Sequence, residues 1–177
     1  MNFSQAQGFV AIAVSFFRSA SFTLTILMLL AGCASYDGHG LKPGIASQPD
    51  VRELMGEPAA TWSTPAGDVW AYPRGPLGVQ TFLVRFDESG KLKTIEPVLD
   101  EDHFAQIAPG MTHEDVLHRI GPPFQTITFP NLNQVSWDYH FTDLWGYSSI
   151  FSAIFDQAGR VVYTFKQRQF QGGDRSQ

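Results

Sequence analysis

The chain has 177 residues, with 12 basic and 17 acidic side chains, a net charge of −5 and a single cysteine. One thiol excludes an internal disulfide framework, and an acidic chain without any basic run speaks against a nucleic-acid surface. The length allows one compact domain or two small fused ones once the apolar N-terminus is set aside.

Apolar runs from Phe9 to Phe17 and from Ala20 to Ala31 are separated by Arg18 and followed by Leu30-Ala31-Gly32-Cys33. This resembles a bacterial lipoprotein signal peptide over residues 1–32. The resemblance implies cleavage before Cys33 and acylation of its thiol, leaving none for metal binding or nucleophilic catalysis. A retained helix from Phe9 to Ala31 has the length to span a membrane. It would bury Arg18 at mid-depth, at a cost of at least about 2.5 kcal/mol. Ala34 and Ser35, with no aspartate at the second position, resemble the sorting pattern for the outer membrane. The implied location is that membrane's periplasmic face, held by acyl chains.

Residues 33–43 are polar and glycine-rich and read as a tether. From Ser47 to Met55 the sequence predicts a short helix, with Val51, Leu54 and Met55 as its apolar side. Thr61–Thr64 and Val69–Tyr72 flank a turn at Pro65-Ala66-Gly67-Asp68 and form a hairpin. Pro73–Gly78 reads as a loop. Val79–Asp87 alternates, with Phe82, Val84 and Phe86 on one face and Thr81, Leu83 and Arg85 on the other, and Lys91–Ile95 closes the set. Asp100–Ile107 suggests a further helical turn with Phe104 and Ile107 inward.

Pro109 to Pro123 then spells out a complete helix. Thr112 caps the first amides with Asp115 as reciprocal partner, Met111 faces Val116, and Gly121-Pro122-Pro123 stops it. Phe124–Phe129, Gln134–Phe141, Ser148–Asp156 and Arg160–Phe165 follow as strands, and residues 166–177 read as a polar, fraying tail.

The second set echoes the first. Ser47, Asp50, Val51, Met55, Gly56 and Pro58 stand 65 residues before Thr112, Asp115, Val116, Ile120, Gly121 and Pro123. Trp70-Ala71-Tyr72 answers Trp137-Asp138-Tyr139, and Phe86-Asp87 with Gly90 answers Phe155-Asp156 with Gly159. Ordered matches at nearly constant spacing indicate two tandem units, residues 44–99 and 100–165. The expected fold is α+β, each unit placing short helices on a three- to four-stranded antiparallel sheet. Whether the sheets join edge to edge or pack face to face is open.

At Gly110-Met111-Thr112, Val116, Gly121 with Pro123, Trp137 with Tyr139 and Phe155-Asp156 with Gly159, the second unit resembles the SmpA/OmlA (BamE-like) outer-membrane lipoprotein family. That resemblance implies two helices on a three-stranded sheet, no catalysis and no cofactor, and work done through envelope protein contacts. The tandem arrangement also resembles the secreted β-lactamase inhibitor protein, which implies the alternative of a periplasmic inhibitor or ligand-binding protein.

His113 and His118 with Glu114 invite a metal reading. Five residues on a helix is about 140°, so the rings diverge, and solvated helix positions are the expectation. Trp70, Tyr72, Trp137 and Tyr139 are expected in the core. Leu144, Trp145 and Tyr147 fall in a hairpin connection, where bulky apolar groups serve as partner-binding anchors. No catalytic constellation emerges.

Overall fold

The computed structural model describes residues 37–169; the leader, Cys33 and residues 170–177 lie outside the described residues. Two four-stranded antiparallel sheets carry most of the fold. The order is α1 (Gln48–Met55), β1 (Ala60–Thr64), β2 (Gly67–Arg74), β3 (Gln80–Phe86), β4 (Leu92–Pro97), α2 (Glu101–Phe104), α3 (His113–Ile120), β5 (Gln125–Phe129), β6 (Gln134–Thr142), β7 (Ser148–Phe155) and β8 (Val161–Arg168). Each sheet is a meander, β1-β2-β3-β4 and β5-β6-β7-β8.

Both longer helices start as the sequence dictates. The Ser47 amide donates to Asp50 at 2.7 Å and the Thr112 amide to Asp115 at 2.9 Å. These bonds hold both capping carboxyls below their ordinary value, with the Ser47 hydroxyl the larger influence on Asp50 and the Thr112 amide on Asp115. Both helices also end alike. Gly56 and Gly121 have φ of 83° and 77° with ψ of −168° and −170°. This is the extended mirror region, which is almost closed to any residue with a Cβ. A buried tyrosine then ties each exit to its sheet, Tyr72 donating to the Gly56 carbonyl and Tyr139 to that of Gly121, both at 3.1 Å.

The two apolar helix faces meet separate cores. Val51 and Met55 pack with Trp70, Tyr72, Phe82, Val84 and Phe86 on one face of the first sheet. Val116 and Ile120 pack with Tyr139, Phe141, Phe151 and Phe155 on the second, joined by Phe104 and Ile107 from the α2 region. Trp137 lies against this core, partly buried.

The arrangement of the sheets is neither of the two expected. A third apolar cluster, Val69, Ala71, Leu83 and Val98, lies on the first sheet's other face, with Trp62 and Leu99 packed against it. The end of α3 covers this face. Trp62 stacks on His118 with ring centroids 5.3 Å apart, and Arg85 donates to the His118 carbonyl at 3.2 Å. A Cβ on Gly121 would lie 2.9 Å from the Thr81 side chain, so a bare backbone is what fits the helix exit here. The order of layers is therefore α1, first sheet, α3, second sheet.

Several local expectations change. Only Pro65 and Ala66 separate β1 from β2, because the ladder already runs from Thr64 to Gly67. Pro73 and Arg74 extend β2 rather than opening a loop, paired with Thr81 and Gln80. The tether reading fails from residue 38 on: Gly38 is buried and Leu41 packs on the first core. The tail reading fails for residues 166–168, which belong to β8 and are held by ion pairs of Lys166 with Glu101 and of Arg168 with Asp143. Each sheet has four strands, and the first half carries one helix.

His113 and His118 are half-buried rather than solvated. Their rings do diverge: His118 meets the first sheet, whereas His113 lies against Phe155 and Trp137 at 4.1 and 4.7 Å. Among the described residues no cluster of His, Cys, Asp or Glu is placed to hold a metal ion. Desolvation lowers the His113 pKa below the ordinary 6.5, only partly opposed by the charge of Asp156. A histidine depressed in the fold contributes stability that is complete above about pH 6.5 and lost as pH falls through the folded value. Acid unfolding monitored by tryptophan fluorescence should therefore begin below about pH 6.5 and shift to lower pH in His113→Gln. An unshifted acid limb would refute this role.

Candidate binding surface

The surface that remains is the second sheet's outer face, turned away from α3. Strand alternation assigns its residues. Along β6, Trp137, Tyr139 and Phe141 point to the core, so Gln134, Ser136 and Asp138 point outward. Register adds their neighbours. One row across the sheet reads Gln125, Asp138, Ser152, Phe165, and the next reads Ile127, Ser136, Ile154, Tyr163. All of these but Gln125 line a shallow groove of about 270 Å³, which Phe129 and Leu132 also line.

Its floor is polar and buried. Asp138 is 7% exposed, and its Oδ1 accepts from the hydroxyls of Ser136 at 2.5 Å and Ser152 at 2.7 Å. Oδ2 receives only a long 3.5 Å contact from the Gln125 amide. An ionised carboxylate has about four acceptor positions, so this one is oriented yet not saturated. The rim is apolar. Phe165 and Tyr163 are 41% and 46% exposed and lie 6.3 Å apart between ring centres.

The first sheet supplies a control within the same molecule. Aligned on Trp70 with Trp137 and on Phe86 with Phe155, Ser136, Asp138 and Ser152 correspond to Val69, Ala71 and Leu83. All three are buried, and Ala71 and Leu83 lie beside Gly121 at the end of α3. The same positions are thus apolar and beside the end of α3 in one half, and buried polar groups at the floor of a groove in the other.

Leu144, Trp145 and Tyr147 stand on the β6–β7 connection, and all three are exposed, Trp145 at 78%. The loop is braced rather than loose. Asp143 Oδ1 accepts from the amides of Trp145 and Tyr147, both at 2.9 Å, and Oδ2 accepts from Arg168 at 2.6 Å. The Arg168 guanidinium also lies 4.6 Å over the Tyr147 ring. Desolvation pushes the Asp143 carboxyl up, but the Tyr147 amide, Arg168 and the Trp145 amide outweigh it and hold the group below its ordinary value. Gln167 lines both the groove and the hollow under this loop, so the anchors adjoin the open face.

Sequence reasoning found the loop and missed the face. The available signal was the difference between Trp70-Ala71-Tyr72 and Trp137-Asp138-Tyr139, a carboxylate standing where the first half has a methyl group.

What fold and surface define is a two-sheet α+β protein with a groove on the outer face of its second sheet, among the described residues. No family model matches the chain, and no curated protein does. Solved structures similar to it include a DUF4309 family protein, YjgB, from Bacillus subtilis, at 14% identity and a TM-score of 0.30, covering 76% of this chain and 86% of that one. Another is a candidate β-lactamase inhibitor protein from Streptococcus mutans, at 9% identity and a TM-score of 0.30, covering 69% and 82%. Likenesses this distant carry no argument about activity.

Proposed function

We propose that this chain is a non-enzymatic binding protein that holds a partner protein on the open face of its second sheet, built from two copies of one helix-and-sheet unit. One observation carries the reading: at equivalent positions one sheet lies beside the end of α3 and the other floors a groove, and that groove bears half-exposed aromatics around a buried carboxylate. Aromatic residues around a desolvated polar centre are the usual composition of a binding hot spot. The copy relationship is supported by the paired caps, the two tyrosine-to-glycine bonds, and the bridges of Ser47 with Lys91 and Thr112 with Arg160. This reading is of the inhibitor or ligand-binding kind.

A second reading rests on Leu30-Ala31-Gly32-Cys33 and on the braced loop. In it, acylated Cys33 holds the protein at the inner face of the outer membrane, and Leu144, Trp145 and Tyr147 engage an envelope protein of the assembly machinery, as in BamE-like lipoproteins.

Mild-detergent affinity purification of the full chain separates the two. The first reading expects a partner retained by Cys33→Ser and Trp145→Ser and lost with Phe165→Ser. Loss with Cys33→Ser or Trp145→Ser, and indifference to Phe165→Ser, would overturn it in favour of the second.

A further inference from the structure

We infer that the groove on the second sheet takes an arginine side chain of the partner protein, seated on Asp138; this rests on the open face being the binding surface. The argument is one of charge and geometry. Among the described residues Asp138 forms no ion pair; its own row and that of Ser136 contain no other charged side chain, and the row on its other side holds His140. A buried carboxylate without a cation is costly, and at the same register the first half has alanine, so the fold itself does not require it. Asp138 lines the groove, two serines fix its Oδ1, and Oδ2 has only the long Gln125 contact. The free acceptor thus has a defined direction.

The surroundings select the type of cation. Strands lie about 4.8 Å apart, so Ser152 is the next neighbour of Asp138 and Phe165 the one after. An arginine lying across the row places its guanidinium on the carboxylate and its stem against Ile154 and Phe165. Guanidinium is planar and weakly hydrated and suits a buried carboxylate, whereas an ammonium keeps its water and prefers a wet site. The net negative charge of the chain favours the approach of such a segment.

The test uses the full chain in detergent micelles, titrated with N-acetylarginine amide, its citrulline counterpart and the lysine counterpart while backbone amide NMR shifts are followed. The expected result is perturbation at Asp138, Ser152 and Phe165 by the arginine probe, with affinity at least about tenfold above citrulline and above lysine. Asp138→Asn should remove this preference while the core residues Val116 and Ile120 keep their shifts, which shows the fold intact. Equal binding of arginine and citrulline, or of arginine and lysine, would overturn the inference. So would a shift of the free Asp138 signal in Arg175→Ala, which would make this chain's own arginine the occupant. Purification that still depends on Phe165 alongside such a result keeps the binding surface and discards only the arginine; purification indifferent to Phe165 discards the surface.

Discussion

Gly67→Ala is expected to unfold the first half of the protein. Gly67 opens β2 with φ of 120°, and a Cβ there would lie 2.2 Å from the Phe86 carbonyl oxygen and 2.7 Å from the Asp87 carbonyl carbon. Both obstacles are backbone, so no side-chain rotation relieves them. The β2 ladder would have to part from β3, and Trp70 and Tyr72 sit a few residues on in that strand. A strained φ alone costs about 1–3 kcal/mol, and the clash adds to it; a total above about 4 kcal/mol is a large share of a small domain's stability. Near-ultraviolet circular dichroism should lose the tryptophan signal of the first half, and thermal unfolding should begin far below that of the parent. A variant that melts within a few degrees of the parent would show that the hairpin accepts a different path.

Phe155→Ala should be nearly as damaging in the second half. Phe155 is fully buried, stacks on His113 at 4.1 Å and lies 5.0 Å from the Trp137 ring. Truncating a buried phenylalanine costs about 3–5 kcal/mol, the spread reflecting how far the site collapses. Collapse is limited here, because β7 is hydrogen-bonded on both sides, to β6 and β8. The substitution also lets water reach His113, so the acid limb of unfolding should flatten. Urea titration at pH 5 and pH 8 reads both effects: a loss under about 1 kcal/mol, or an unchanged difference between the two pH values, would contradict the packing described.

Much of this was legible in the sequence because its signals are local. Ser47 with Asp50 and Thr112 with Asp115 announce their helices within one turn, and the alternation of Phe82, Val84 and Phe86 announces a strand facing a helix. The layer order was not legible. It depends on Trp62 meeting His118 and on the bare edge of Gly121 against Thr81, contacts between residues with no spacing rule to connect them. The strand ends erred for a similar reason. Lys166 and Arg168 look like a polar tail, and only Glu101 and Asp143, brought from elsewhere in the chain, hold them in the sheet. The groove was half visible, since Asp138 stands between Trp137 and Tyr139 where Ala71 stands between Trp70 and Tyr72; nothing in the sequence says that one lies beside the end of α3 and the other on a groove.

The wedge of α3 between two sheets sets an order of events at birth. Chains emerge from the ribosome N-terminus first. The strands up to Pro97 are all made before Gly121, so Val69, Ala71 and Leu83 face water until the later segment arrives to cap them. The nascent first half is thus a sticky intermediate by construction. A stop codon anywhere between Pro97 and His113 would release it permanently in that form, as a fragment prone to self-association rather than a working half-protein.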